Sequence, residues 1–231
     1  MRLNKYINEE SENITNVAND AAKILEKECQ YYLNLLKSNR IKPFYRGIGV
    51  YKPTLLMKKY TRTDRRSSGM NDFIFKNLND YLKISNHTRR DNSVIATSSY
   101  MNAEGFGKVY YIFPEGKFNY TWITSGDLNI KRLYKKPSQY QKLIEFFILY
   151  TTKYKRPRTP IEKLKSISVR TPITKLKSIS DDSLSEIKEL FTTNKDIHIA
   201  YTKEYEIWFD CKSYYLLEIN IGDMEVINRI L

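Results

Sequence analysis

The chain has 231 residues, 41% of them apolar, enough for one sizeable core or a core with an appendage. Thirty-nine Lys and Arg against 26 Asp and Glu give a net charge of +13, which attracts a nucleic acid or an acidic protein surface but specifies neither fold nor chemistry. Nineteen tyrosines and ten phenylalanines exclude disorder throughout, and no apolar run approaches the length of a membrane span. Two cysteines and two histidines make neither a disulfide framework nor an expected zinc site. The N-terminus lacks an apolar signal core, so a cytoplasmic protein is expected.

Residues 1–10 read as loose. Apolar residues recur at three- and four-residue spacing from Ile14 and Val17 to Leu35 and Leu36, predicting one helix over 12–38 with Ser11 as a cap. Residues 43–51 read as a strand carrying Arg46, with Gly47 and Gly49 where something approaches the backbone closely. The segment 58–66, KKYTRTDRR, is strongly basic, and 71–84 has the pattern of a second amphipathic helix.

The stretch 90–122 then reads as strand, small-residue connection, strand, turn and strand. Val94-Ile95-Ala96 ends in the hydroxyls Thr97, Ser98 and Ser99, while residues 109–113 are β-branched and aromatic. Phe118, Tyr120 and Trp122 alternate with polar residues. Helices are expected over 139–154 and 181–191, with a local duplication between them, where Thr159–Ser168 is nearly repeated as Thr171–Ser180. The end of the chain reads as strands over 197–201, 203–209 and 214–219. The class is α+β.

Three polar features stand at strand edges: Arg46, the hydroxyls 97–99, and Glu204 and Glu206, expected on one face of their strand. A guanidinium binds phosphate bidentately, hydroxyls hold a carboxylate in place, and a carboxylate stabilises an oxocarbenium-like centre. In this order the residues resemble the mono-ADP-ribosyltransferases of the arginine–serine–glutamate class, which includes bacterial toxins and bacteriophage enzymes. Tyr45-Arg46-Gly47 is similar to the arginine strand and Thr97-Ser98-Ser99 to the Ser-Thr-Ser motif. Residues 109–116 are similar to the strand and Pro-x-Gly segment, and Glu204-Tyr205-Glu206 to the Glu-x-Glu motif. The sequence departs from the class in having Thr97 first in its motif and a long separation between Ser98 and Glu206.

The resemblance implies one domain of two packed, mainly antiparallel sheets around an NAD cleft. The residues themselves add an N-terminal helical segment, 11–38, and a helical and repeat insertion over about 131–194, which lies outside the match. The resemblance implies NAD as the substrate, with no metal. Arg46 would contact the NAD phosphates, with Gly47, Thr97 and Ser99 beside the dinucleotide. Ser98 would order the site, Glu206 would stabilise the oxocarbenium ion, and Glu204 would activate an acceptor arginine. The partner expected is an acidic macromolecule, a host protein or a nucleic acid, and no membrane. The enzyme is expected as a monomer in the cytoplasm, that of the host if phage-encoded, or packaged in a virion. The competing reading is a non-catalytic, basic nucleic-acid-binding or virion-associated protein. The basic loop 58–66, Phe118 and Tyr120 are further candidates for holding nicotinamide or acceptor, against the plainer reading of solvated loop and core strand.

Overall fold

A computed structural model describes residues 2–49, 54–65, 72–124, 190–219 and 223–231. The expected helix 139–154 and the 159–180 repeat lie outside these residues, as does most of the expected helix 181–191.

The chain opens with α1 (Arg2–Glu28) and α2 (Gln30–Asn39). One helix was expected, starting near Ser11. Instead α1 begins at Arg2, where Leu3, Tyr6 and Ile7 already carry the helical spacing, and Ser11 lies inside it. Cys29, at φ −115° and ψ 21°, interrupts the helix; its thiol is buried and donates to the Phe113 carbonyl at 3.6 Å. Strand β1 (Tyr45–Ile48) follows, then β2 (Leu56–Tyr60), α3 (Asp72–Ile84), β3 (Val94–Ala96) and the single turn α4 (Tyr100–Glu104). Next come β4 (Lys108–Pro114), β5 (Asn119–Ile123), β6 (Phe191–Thr193), α5 (Ile197–Thr202), β7 (Ile207–Asp210), β8 (Ser213–Glu218) and α6 (Asp223–Ile230).

Two corrections concern the C-terminal part. Residues 197–201 alternate in polarity but form a helix, because Ile197 and Ala200, three apart, are the buried pair while Ile199 is exposed. Asp223–Ile230 forms an amphipathic helix not anticipated from the sequence; its Val226, Ile227 and Ile230 are buried, and it packs against α1.

The strands form two four-stranded antiparallel sheets, ordered β1-β4-β8-β2 and β3-β7-β5-β6. The architecture is therefore α+β, with helices flanking the sheets. Aromatic side chains fill the core. Tyr32, Phe44, Phe113, Phe118 and Phe209 meet edge to face at centroid distances of 5.5–5.9 Å. Each such pair contributes about 0.5–1.5 kcal/mol beyond its area burial. Phe118 and Tyr120 belong to this core, at 6% and 3% exposure, which agrees with the plainer reading of core strand.

Two details set up the site. Tyr45 of β1 and Thr97, just after β3, exchange both backbone hydrogen bonds at 2.7 and 3.0 Å, joining an edge strand of one sheet to an edge strand of the other. The segment expected as an insertion over 131–194 ends in β6, which pairs with β5. The Thr124 amide also donates to the Leu190 carbonyl at 2.9 Å. Thr124 and Leu190 thus lie side by side, and β7 lies between β3 and β5.

Candidate functional site

Antiparallel pairing brings distant residues together. Ala96 of β3 is opposite Ile207 of β7, so continuing the register sets Thr97 beside Glu206. Tyr45 is bridged to Thr97, and the next residue is Arg46. These residues open onto one cavity of about 350 Å³, lined among others by Arg46, Gly47, Thr97, Glu204 and Glu206. That size lies in the ordinary range for small-molecule sites, roughly 300–1,000 Å³.

Arg46 Nη1 donates to the Ile95 carbonyl at 2.5 Å, and its guanidinium stands 5.9 Å from the Tyr214 ring centroid. Its Nε is buried and has no hydrogen-bond partner among the described residues. A buried donor of this kind is costly unless a ligand completes it. Gly47 has a steric reason to be glycine. A β-carbon there would come within 1.9 Å of the Ala103 carbonyl oxygen, so α4 lies directly on β1. The close approach expected from the sequence is therefore made by the protein's own helix, while the same residue also lines the cavity.

The hydroxyl cluster divides its work. Thr97 lines the cavity, and its Oγ1 accepts from the Ser99 amide at 3.2 Å and donates to the Glu204 carbonyl at 3.4 Å. Ser98 Oγ donates to the Tyr201 carbonyl at 2.5 Å, tying the β3 end to α5. Ser99 is buried at the start of α4.

The glutamates do not share a strand face. Both precede β7, and Glu204 adopts φ +56°. Helix α5 ends there in a Schellman arrangement. The Tyr205 amide donates to the Ala200 carbonyl at 2.9 Å, and the Glu204 amide to the Tyr201 carbonyl at 3.2 Å. Tyr205 stacks on Trp122 at 5.7 Å and 19°, fixing the turn. Glu204 is exposed at the cavity, whereas Glu206 is 7% exposed. Glu206 Oε1 accepts from Trp208 Nε1 at 2.5 Å and from Arg90 Nε at 3.0 Å.

Sequence reasoning missed several lining residues. Arg90 comes from the loop before β3, and Asn102, Ala103 and Phe106 from α4 and its exit. Phe106 is 56% exposed, and its place between Gly105 and Gly107 is the only local sequence signal it carries. Of the basic segment 58–66, expected as a loop and a candidate for holding nicotinamide or acceptor, residues 58–60 belong to β2, and the part after it brings Arg62 and Arg65 to the cavity. Four guanidinium groups thus face two carboxylates, a local excess of positive charge. Arg62 also pairs with Asp64 at 3.2 Å. Burial pushes the Arg65 pKa down to about 10, with the neighbouring Arg46 and Arg90 charges adding to the effect. Crowded cations around a cavity favour a multiply charged anion.

Among the described residues, no group of three or more His, Cys, Asp or Glu is arranged to hold a metal ion. No described helix is long and apolar enough to cross a membrane. No protein family, curated protein or solved structure matches the chain.

Proposed function

We propose that this chain is an NAD-dependent mono-ADP-ribosyltransferase of the arginine–serine–glutamate class, with a protein arginine as the favoured acceptor. The observation that carries the reading is the convergence of Arg46, Thr97, Glu204 and Glu206, widely separated in sequence, on one cation-rich cavity. In this reading the two sheets correspond to the sandwich of that class and the cavity to its NAD cleft. The residues present suit the dinucleotide. Arg46 and Arg65 offer two positive charges to the diphosphate, and the buried Arg46 Nε offers it a donor.

The bond between ribose C1′ and the nicotinamide nitrogen breaks, and its electron pair leaves with nicotinamide. The positive charge moves to the ribosyl oxocarbenium, beside the Glu206 carboxylate. Burial strengthens that attraction, and the two hydrogen bonds on Oε1 orient the carboxylate before the reaction. An acceptor guanidine nitrogen then attacks C1′ and gives up a proton to Glu204 at the cavity mouth. The products are ADP-ribosylated arginine, nicotinamide and a proton. Water in place of the acceptor yields free ADP-ribose.

The test is incubation with NAD labelled in its adenylate, using an acidic host-cell extract and an arginine-rich protein as acceptors. Label in protein from the wild type, and none from Glu206→Gln, supports the reading. Label transfer that survives Glu206→Gln removes the assigned glutamate. An absence of both transfer and NAD hydrolysis, together with salt-sensitive nucleic-acid binding indifferent to Arg46→Ala, selects the binding-protein reading.

A further inference from the structure

We propose that Arg90 is a positioning residue for Glu206, a role that rests on the transferase reading above. The hydroxyl cluster is the part of the motif expected to order the site, yet Ser98 Oγ donates to the Tyr201 carbonyl. The glutamate's Oε1 instead accepts from Arg90 Nε at 3.0 Å and from Trp208 Nε1 at 2.5 Å. Both members of the ion pair are screened from water, with side-chain exposures of 15% for Arg90 and 8% for Glu206. Two donors converging on one carboxylate oxygen fix the rotation of the group as well as its place.

Arg90 is itself held on both sides. The Thr88 amide donates to Thr121 Oγ1 at 2.8 Å, and the Asp91 amide donates to Asn79 Oδ1 at 3.0 Å. Thr121 on β5 and Asn79 on α3 are both buried, and Asn79 Nδ2 is anchored to the Phe75 carbonyl at 2.8 Å. Arg89 also forms an ion pair with Asp91. An exposed arginine on a free loop would lose side-chain and backbone entropy in reaching a carboxylate. Here the loop is fixed beforehand by buried side chains from two other elements, so Glu206 meets a preset guanidinium. The arrangement serves a step in which positive charge develops next to the carboxylate, because the carboxylate need not reorient as the glycosidic bond breaks.

The test compares wild type, Arg90→Ala, Arg90→Lys and Trp208→Phe in NAD hydrolysis, following nicotinamide release and thermal stability together. Positioning predicts a fall in kcat of about 10²-fold for Arg90→Ala, with the NAD KM little changed. It also predicts partial activity in Arg90→Lys, a smaller kcat loss in Trp208→Phe, and recovery of Arg90→Ala by added guanidinium ion at sub-denaturing concentration. A rise in KM with kcat intact makes Arg90 a phosphate ligand and overturns the proposal. A kcat loss that tracks a lower Tm and that guanidinium does not restore makes it a scaffold residue, and also overturns it. If Arg90→Ala does not fold, the kcat and KM split of Arg90→Lys decides in the same way. Wild type that releases no nicotinamide overturns the transferase reading itself, and this proposal with it.

Discussion

The Tyr205 amide donates to the Ala200 carbonyl at 2.9 Å, and this bond across the end of α5 holds Glu204 in the left-handed conformation at φ +56°. Glycine is the usual occupant of that position in a Schellman motif, because a β-carbon there costs about 1–2 kcal/mol. A glutamate in that conformation carries backbone strain that glycine would relieve. Glu204→Gly should therefore stabilise the protein by up to about 1 kcal/mol, part of the relief being offset by glycine's greater freedom in the unfolded chain. The same change should eliminate transfer to an arginine acceptor while NAD hydrolysis continues. Urea unfolding midpoints and the ratio of transferred to free ADP-ribose check the two halves.

Gly47 tests the contact between α4 and β1. The 1.9 Å approach of a β-carbon to the Ala103 carbonyl forces the backbone of α4 to move. Gly47→Ala should cost about 1–3 kcal/mol, the usual range for overpacking. It should also weaken NAD binding, because Asn102, Ala103 and Phe106 line the cavity on the displaced element. Denaturant titration and calorimetric NAD binding measure both effects.

Arg65 separates ligand binding from stability. Its folded pKa is lowered to about 10, from a reference value of 12.5. A cation with a lowered folded value destabilises the fold at every pH below both values, and the cost fades as pH rises through about 10. At neutral pH that cost is fully present. Arg65→Gln should raise the Tm of the ligand-free protein by about 2 °C while reducing NAD affinity about tenfold. Thermal scans with and without NAD or inorganic diphosphate show whether the two effects have opposite signs.

His87 gives the fold an acid-sensitive joint. Burial lowers its pKa from the reference 6.5, its Nδ1 lies 2.6 Å from Thr193 Oγ1, and its ring lies against Phe191. The unfolded chain takes up the proton first, so stability declines as pH falls below about 6.5. Replacing His87 with Gln should flatten the dependence of Tm on pH between about pH 7 and pH 5. A slope identical to wild type means that other groups control the acid response.

The sequence conveyed the strands and the motifs better than their connections. The β-branched and aromatic run of β4 identified a central strand, and the hydroxyls after Ala96 marked a strand end, because both signals are local. Residues 197–201 misled because five residues of alternating polarity satisfy both periods, and only the burial of Ile197 with Ala200 distinguishes them. The left-handed turn at Glu204 was hidden because glutamate is not a turn residue; the helix-end hydrogen bonds and the stacking of Tyr205 on Trp122 hold it. Arg46, Thr97 and the glutamates were legible from residue type and order. Arg90 and Arg65 were not, since an arginine in a basic loop looks the same whether it faces solvent or a cavity. Only the pairing of β3 with β7 and the buried anchors of the 88–91 loop disclose where Arg90 points.

Nicotinamide release from NAD, followed by proton NMR with wild type and Glu206→Gln at matched folded concentration, bears most directly on the reading. Steady release by the wild type, reduced at least about 10²-fold in Glu206→Gln with NAD binding retained, is the expected result. Equal release by the two proteins, or none by a wild type that is folded and saturated with NAD, contradicts the assignment of this cavity to ADP-ribosyl transfer.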